Sequence, residues 1–298
     1  MALYLGVDTG GTESRWAAVD ETGELVARGI SEGATGLIYD ASSMAAFAGA
    51  LEGIRDALSG PPEYAHFGIT GAGFSQNVQV ENQIKALFHL PPERFSYSND
   101  MILAWHAAFD GQRGHLVSAG TGSIGVTLDP QGQPIVVGGR GILIDDGGSG
   151  TWIALRALDE VFRIIDQHGS PRGVEILADR LFSIIGGDDR DATRAYVYGK
   201  DRGRIGLLAM PVAEAAHAGD QLALNIILQA GRELVRLARA LLARNGQARV
   251  SFIGRVIGLH PVIREVIQKE LISEDIDFPV IDAPLHAARM ALKKAETE

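Results

Sequence analysis

The chain has 298 residues, of which 46% are hydrophobic and 21% charged, the balance of a globular protein with one large or two medium domains. It contains no cysteine, so disulfides, a thiolate nucleophile, iron–sulfur clusters and Cys-ligated zinc are excluded. The formal net charge of −10 argues against binding along a nucleic acid, and no apolar run is long enough to span a membrane. We therefore expect a cytoplasmic protein with neither nucleic-acid nor membrane partners.

The first part of the chain predicts strands that alternate with helices. An apolar run at residues 3–8 ends at paired glycines, as a buried strand does, and two more strands follow at 15–20 and 25–29. The pattern then predicts a helix at 42–58, a strand at 65–69, a helix at 77–90, a strand at 95–98 and a helix at 102–109.

The second part continues this alternation. Strands are predicted at 115–118, 124–128, 134–137 and 250–253, and helices at 151–168, 174–185, 205–218, 222–245 and 287–295. Strands that alternate with helices predict a largely parallel sheet in each part. We expect an N-terminal lobe at residues 1–110 and a C-terminal lobe at 111–298, and it stays open whether the last helix packs on the N-terminal lobe.

The opening of the chain has a related copy further along. Five pairs of residues, each 109 positions apart, match: Gly11 with Gly120, Thr12 with Thr121, Asp20 with Asp129, Gly23 with Gly132 and Gly29 with Gly138. A single pair of turn-forming residues means little. Five pairs in one register, over the same order of strands and turns, indicate two related lobes.

Two glycine-rich turns follow predicted strand ends, where ligands bind in open α/β sheets. The turn at 8–12 offers backbone amides, the Thr12 hydroxyl and the Asp8 carboxylate, and the turn at 118–123 offers amides and hydroxyls without an acid. Amides in such turns can hold phosphates, and one carboxylate beside them suits Mg²⁺. The alternative is that the glycines only form turns. The sequence has neither the P-loop pattern nor the glycine pattern of dinucleotide-binding folds.

The stretches DTGGT at 8–12 and SAGTGS at 118–123 resemble the two phosphate motifs of the sugar kinase, heat-shock ATPase and actin superfamily. Within it, the chain is similar to the N-acetylglucosamine kinase and glucosamine kinase group, with the related BadF/BadG-type ATPases. Further matches are GITGAG at 68–73, ND at 99–100, DGGSG at 146–150 and the stretches at 204–212 and 219–223. The resemblance implies an α/β, two-lobed, actin-like ATPase fold of the ribonuclease H-like type, with a mixed sheet and flanking helices in each lobe and a cleft between the lobes.

The resemblance also implies ATP and Mg²⁺ as cofactors, with Asp8 on the metal side. The residues that it implies for ATP binding are Gly10, Gly11 and Thr12 in the first turn, Gly120, Thr121 and Gly122 in the second, and Gly254 along the adenosine. Arg255 follows Gly254 and has two interpretations, a contact to the nucleotide or a solvated surface side chain.

Asp100 is the candidate catalytic base. Phosphoryl transfer to a sugar needs an acceptor hydroxyl in line with the γ-phosphate and a base near it, and the resemblance assigns this role to the Asn-Asp pair. Asp100 also stands directly before a predicted helix, so its position alone equally allows a capping role.

The implied sugar-binding residues are Asn99, Asp146, Gly71 and Ala72. Asp145 and Asp146 are adjacent, and neighbouring side chains in extended chain point to opposite sides, so we expect one of them to face the ligand. This side departs from the family pattern at three places. Gly147 replaces a glutamate, Arg140 replaces a tryptophan, and no asparagine occurs at residues 33–36.

The resulting hypothesis is an ATP-dependent kinase that phosphorylates the 6-hydroxyl of an amino sugar such as N-acetylglucosamine or glucosamine. The alternatives are a non-catalytic sugar or nucleotide sensor of the same fold, and an ATPase that acts on another acceptor. We expect a homodimer, formed through an apolar stripe at residues 222–242, although such a stripe can equally pack within the chain.

Overall fold

A computed structural model of the chain describes residues 2–73, 76–199 and 203–297. The chain forms two compact units: unit 1 comprises Met1–Gln112 with Val280–Glu298, and unit 2 comprises Arg113–Pro279. The C-terminal segment thus belongs to unit 1, which is one of the two possibilities that the sequence left open. Within the described ranges, no helix has the length and apolar character that crossing a bilayer requires.

Unit 1 contains a five-stranded mixed sheet in the order β3-β2-β1-β4-β5. The strands β1 (Tyr4–Thr9), β2 (Glu13–Val19) and β3 (Leu25–Glu32) form an antiparallel meander, while β4 (Tyr64–Ile69) and β5 (Phe95–Asn99) run parallel to β1. β1 is buried almost throughout because it is the central strand, which agrees with its continuous apolar sequence.

Four α-helices and a short 3₁₀ helix (Pro92–Arg94) complete the described part of unit 1, and the α-helices are α1 (Ala41–Ala57), α2 (Val78–Phe88), α3 (Asp100–Phe109) and the C-terminal helix (Ala283–Thr297). The C-terminal helix packs directly on β1. Gly6 makes this approach possible, because a Cβ atom there would overlap the backbone of Pro284 and Ala288. The small side chains of Ala287 and Ala288 are fully buried at this contact.

The sheet of unit 2 has the order β10-β9-β6-β7-β8. The strands β6 (His115–Ala119), β7 (Ser123–Leu128) and β8 (Pro134–Gly138) form an antiparallel meander, and β9 (Val250–Ile253) and β10 (Ile276–Asp277) are parallel to β6. This is the strand order and orientation of unit 1. The two related lobes that the repeat predicted are therefore present as two sheets of one topology.

The helices of unit 2 are α4 (Gly150–His168), α5 (Glu175–Ile185), α6 (Arg190–Tyr198), α7 (Gly203–Leu207), α8 (Ala209–His217), α9 (Gln221–Asn245) and α10 (Pro261–Glu270). α9 packs against β6, β7, β8, α8 and α10, and its apolar residues are buried there. The apolar stripe at 222–242 therefore belongs to the core of unit 2, which was the alternative to its role as a dimer surface.

The sequence missed α6, α10 and β10 and joined two helices into one. α6 has nine mostly polar residues and buries only Tyr196, and β10 has only two residues, so neither element carries the apolar residues that mark a helix or a strand. The helix predicted at 205–218 is interrupted at Leu208. Pro211 explains the break, because its ring clashes with the carbonyl of the residue four positions earlier and it has no N–H for the helical ladder.

Candidate functional site

The carboxyl ends of three neighbouring strands gather several predicted site residues in unit 1. Asp8 of β1 is in register with Gly68 of β4, and Gly68 is in register with Ser98 of β5. α3 lies close against β4 because Gly68 has no side chain, and a Cβ atom there would overlap Leu103. The strand ends at Asp8, at residues 70–72 and at residues 99–100 therefore lie at one edge of the sheet.

The turn at 10–12 leaves two backbone amides available. The N–H of Gly10 donates to the Glu13 carbonyl at 3.1 Å and closes the turn, and the Gly10 carbonyl accepts from the Ala34 N–H at 3.0 Å. The N–H groups of Gly11 and Thr12 have no acceptor among the described residues, and both residues are exposed. A Cβ atom on Gly11 would meet nothing nearer than 3.8 Å, so the fold itself does not require glycine there. The open space lets an anion reach the amides.

Two carboxyl groups near this turn have raised pKa values. Burial raises the pKa of Asp100 to about 6, although hydrogen bonds from the Met101 N–H and the Thr70 hydroxyl favour its charged form. Burial likewise raises the pKa of Asp8 to about 6; the charge of Asp100 adds to the rise and Arg15 opposes it. Two partly buried carboxyl groups that repel each other are stabilised by a cation and can exchange protons near neutral pH.

Asn99 provides the N-cap of α3, because its Oδ1 accepts a hydrogen bond from the Met101 N–H at 2.9 Å. The capping role that was the alternative for Asp100 is thus filled by its neighbour. Asp100 is the first residue of the helix, where the helix dipole favours a negative charge.

The predicted sugar-binding residues Gly71 and Ala72 lie beneath the loop at 33–38. The Gly36 N–H donates to the Thr70 carbonyl at 2.8 Å, and a Cβ atom on Gly71 would be 2.8 Å from Cγ of Leu37. Ala72 is buried. These residues therefore support the loop, while Thr70 is the member of this turn whose side chain contacts Asp100.

The second turn, in unit 2, is also closed by a backbone hydrogen bond, although its donor lies one position later in the repeat than in the first turn. The Gly120 N–H closes the turn on the Gly122 carbonyl at 2.9 Å, and the Gly120 carbonyl accepts from the Gly150 N–H at 2.8 Å. The Thr121 carbonyl accepts from the Thr151 hydroxyl at 2.6 Å. In the described ranges the N–H groups of Thr121 and Gly122 again have no acceptor, and a Cβ atom on Gly120 would meet nothing within 4 Å. This turn has the same features of an anion-binding turn.

Asp146 lies beside the second turn. It is buried, and its φ of 66° is in the left-handed region. The Ser123 N–H lies 3.4 Å from its Oδ1, and a Cβ atom on Gly122 would be 3.2 Å from its Oδ2. The Ser123 hydroxyl donates to the Gly147 carbonyl at 2.8 Å and ties the two segments together.

Asp145 turns back into its own loop. Its Oδ1 accepts from the Arg140 N–H at 2.7 Å and from the Asp146 N–H at 2.8 Å, and its Oδ2 accepts from Nη1 of Arg140 at 3.0 Å. Of the two adjacent acids, Asp146 is therefore the one that faces the second turn, and Asp145 stabilises the loop that carries it.

Gly254 follows β9 and lies against the neighbouring strand β6. Its φ is +101°, and a Cβ atom would overlap the carbonyl of Ala119, the residue before the second turn. The fold therefore requires glycine at this position independently of any nucleotide. Arg255 is exposed.

The described residues contain no group of three or more His, Asp or Glu side chains close enough to form a metal site. Mg²⁺ does not need such a group, because it is commonly bound by one or two carboxylates together with water and phosphate oxygens. Asp8 and Asp100 fit that pattern, since a cation beside them would stabilise the charged carboxylates, which burial and, for Asp8, the charge of Asp100 disfavour.

The sequence did not identify Thr70 or the Arg140–Asp145 pair as parts of these sites. Thr70 follows a predicted strand in the same way as the turns do, so its place at the strand edge was a usable signal. No sequence pattern predicts the Arg140–Asp145 pair, because its hydrogen bonds depend on the path of an irregular loop.

Comparison with known proteins agrees with this architecture. The BadF/BadG/BcrA/BcrD ATPase family matches residues 5–287. The glucosamine kinase GspK of Vibrio cholerae is 28% identical over 267 residues, which are 86% of this chain and 85% of that protein. An N-acetylmuramic acid/N-acetylglucosamine kinase of Clostridium acetobutylicum is 26% identical over 176 residues, 58% of this chain and 56% of that protein.

Among solved structures, a protein of Chromobacterium violaceum assigned as an N-acetylglucosamine kinase superimposes with a TM-score of 0.76 at 24% identity, over 98% of this chain and 99% of that one. The fold expected from the sequence, an α/β actin-like ATPase fold with a mixed sheet in each half, is thereby confirmed. Since the family match extends over nearly all of the sequence, the chain belongs to the BadF/BadG/BcrA/BcrD ATPase family.

Proposed function

We propose that this protein is an ATP-dependent carbohydrate kinase that transfers the γ-phosphate of ATP to the 6-hydroxyl of an amino sugar, with glucosamine and N-acetylglucosamine as the candidate acceptors. Membership of an ATPase family and the 28% identity with a glucosamine kinase support this function. A homodimer and a cytoplasmic location remain parts of the proposal.

The observation that carries the proposal is the pair Asp8 and Asp100 beside the free amides of Gly11 and Thr12. A base with a pKa of about 6 is largely ionised at neutral pH and can still accept a proton from a hydroxyl as that hydroxyl attacks phosphorus. The acceptor oxygen forms its bond to the γ-phosphorus while the bond to the bridging oxygen of ADP breaks, and the proton goes to Asp100.

The other predicted residues take their proposed roles from these contacts. Gly10, Gly11 and Thr12, and likewise Gly120, Thr121 and Gly122, form phosphate-binding turns. In both turns the first glycine shapes the turn and the next two residues supply the amides.

Asp8 is the proposed carboxylate for Mg²⁺, which neutralises phosphate charge when bound. Gly254 is proposed to lie along the adenosine. Asn99 and Asp146 are the proposed polar contacts to the sugar, while Gly71 and Ala72 support the neighbouring loop.

Release of ADP with and without a panel of amino sugars and hexoses tests this function. We expect release that depends on glucosamine or N-acetylglucosamine and a product phosphorylated at the 6-position. Sugar-independent release would indicate an ATPase that acts on another acceptor. No release, combined with binding of nucleotide or sugar, would indicate a sensor.

A further inference from the structure

The loop at residues 139–149, here called the acceptor loop, rests on helix α9 through two glycines. A Cβ atom on Gly148 would be 2.6 Å from the Ala230 carbonyl oxygen and 2.9 Å from Cδ2 of Leu234. A Cβ atom on Gly147 would be 2.5 Å from Oε2 and 3.0 Å from Cδ of Glu233. The space beside Gly147 is therefore filled by a carboxylate that comes from α9 and not from the loop.

The Glu233 side chain is held in place and remains accessible. Nε of Arg236 donates to its Oε2 at 2.8 Å, one helical turn away, and the side chain is 35% exposed. Its Oε1 has no partner among the described residues. One oxygen thus fixes the position of the carboxylate next to Gly147, and the other is free for a ligand.

The two acids within the acceptor loop have surroundings that differ from those of Glu233. Asp145 accepts three hydrogen bonds from Arg140 and from the Asp146 N–H, and the buried Asp146 faces the Ser123 N–H. Glu233 therefore differs from both, because it combines solvent access with an unused acceptor oxygen.

We propose that Glu233 determines which amino sugar this protein accepts, by binding the ammonium group of a sugar that carries a free amine. This inference rests on the proposed kinase function. An ammonium offers three N–H donors and a positive charge, and its hydrogen bonds to a carboxylate are stronger than those between neutral groups. An N-acetyl group is neutral, has one N–H and adds a carbonyl oxygen, which a carboxylate repels. Glu233 thus favours glucosamine over N-acetylglucosamine.

The test compares kcat/KM for glucosamine, N-acetylglucosamine and glucose in the wild type and in Glu233→Gln. The variant keeps the shape of the side chain, but it loses the charge and replaces one acceptor oxygen by an NH₂ donor. We expect kcat/KM for glucosamine to fall about tenfold, with the other two sugars changed less than about threefold, because a charge-assisted bond is roughly twice as strong as a neutral one. Glu214→Gln is the matched control. Glu214 of α8 forms a similar ion pair, because its Oε2 lies 2.7 Å from Nη1 of Arg180 of α5.

A second variant should change the sugar preference in the opposite direction. Arg236→Gln removes the cation that offsets the Glu233 charge, so the preference for glucosamine over N-acetylglucosamine should increase. This variant keeps the test available if Glu233→Gln fails to fold, which circular dichroism would reveal.

The outcomes separate this inference from the proposed function. If the wild type phosphorylates an amino sugar but both variants keep its sugar preference, the role of Glu233 is wrong and the kinase function stands. If the wild type phosphorylates none of the sugars, the proposed function fails, and the inference that rests on it fails too.

Discussion

Asp8 and Asp100 hold their carboxyl groups at pKa values of about 6, well above the value near 4 of an unfolded chain. Between about pH 4 and pH 6 these two groups therefore bind more protons in the folded chain than in the unfolded one. The contribution of these two groups to the free energy of unfolding therefore falls as the pH rises through this window and then stays level. At neutral pH the ionised form of each group destabilises the fold, by an amount on the order of 3 kcal/mol for a shift of two pKa units.

Replacement of Asp100 by Asn tests both roles of this residue. We expect turnover to fall about a thousandfold, because a general base contributes roughly that factor, while ATP affinity changes less than about twofold. The melting temperature should rise at pH 7.5 and remain unchanged near pH 4, where the wild-type carboxyl is already protonated. Steady-state kinetics measure turnover and ATP affinity, and calorimetry at the two pH values measures the melting temperature. Asp56→Asn is the control, because Asp56 is exposed. Unchanged turnover would remove Asp100 from the mechanism.

The pH profile of the wild-type protein gives an independent check. Since Asp100 must be ionised to accept a proton, kcat/KM should decrease below about pH 6. Asp8 and Asp100 interact, so the apparent pKa belongs to the pair. A profile that is flat from pH 5 to pH 8 would contradict a catalytic carboxyl with this pKa.

Among the elements, the contact between the C-terminal helix and β1 depends most directly on residue size. Gly6 lies in the central strand of unit 1, and the backbone of Pro284 and Ala288 passes where a side chain would be. Any larger residue at this position must push the helix off the sheet, because well-packed cores do not absorb extra volume without strain.

Gly6→Ala should therefore lower the free energy of unfolding by about 3 kcal/mol or more. Gly49→Ala is the matched control in the same unit. Gly49 is an exposed residue of α1 with nothing within 4 Å of its would-be Cβ atom, so alanine there should raise stability by up to about 1 kcal/mol. Urea denaturation of the two variants measures both effects. Equal stability of the two would show that the helix does not pack on β1 as described.

At the scale of the whole molecule, the two units differ in whether they are built from one continuous segment of the chain. Unit 2 is one continuous segment, Arg113–Pro279, whose core contains α9 and the strands it covers. Unit 1 is interrupted, because Val280–Glu298 returns to complete it. A compact unit with its own core and one continuous segment can fold alone, whereas a unit that lacks one of its packing elements cannot.

Expression of separate fragments tests this organisation. Residues 113–279 should fold cooperatively, and residues 1–112 should not, because β1 would lose the cover of the C-terminal helix. Fusion of residues 280–298 to 1–112 through a flexible linker should restore cooperative melting. Circular dichroism measures the melting of each fragment. Cooperative unfolding of 1–112 alone would contradict this account.

The sequence by itself determined the features that depend on neighbouring residues: most strands and helices, the repeat of the two sheets, and the turns at 10–12 and 120–122. Strand ends and glycine turns are local, so hydrophobic periodicity and turn chemistry specify them. The candidate site residues at these strand ends could be named for the same reason, although their proposed roles await the experiments above.

The tertiary structure alone decided the features that join distant segments. It showed that the C-terminal helix covers β1, that the stripe on α9 belongs to a core, and that Asp146 faces the second turn while Asp145 holds its own loop. It also placed Glu233 beside Gly147. Burial and contact between residues far apart in sequence depend on how elements pack, and no local pattern records that packing. A sequence can therefore show that a carboxylate is missing from a loop, but only the fold shows which helix supplies one.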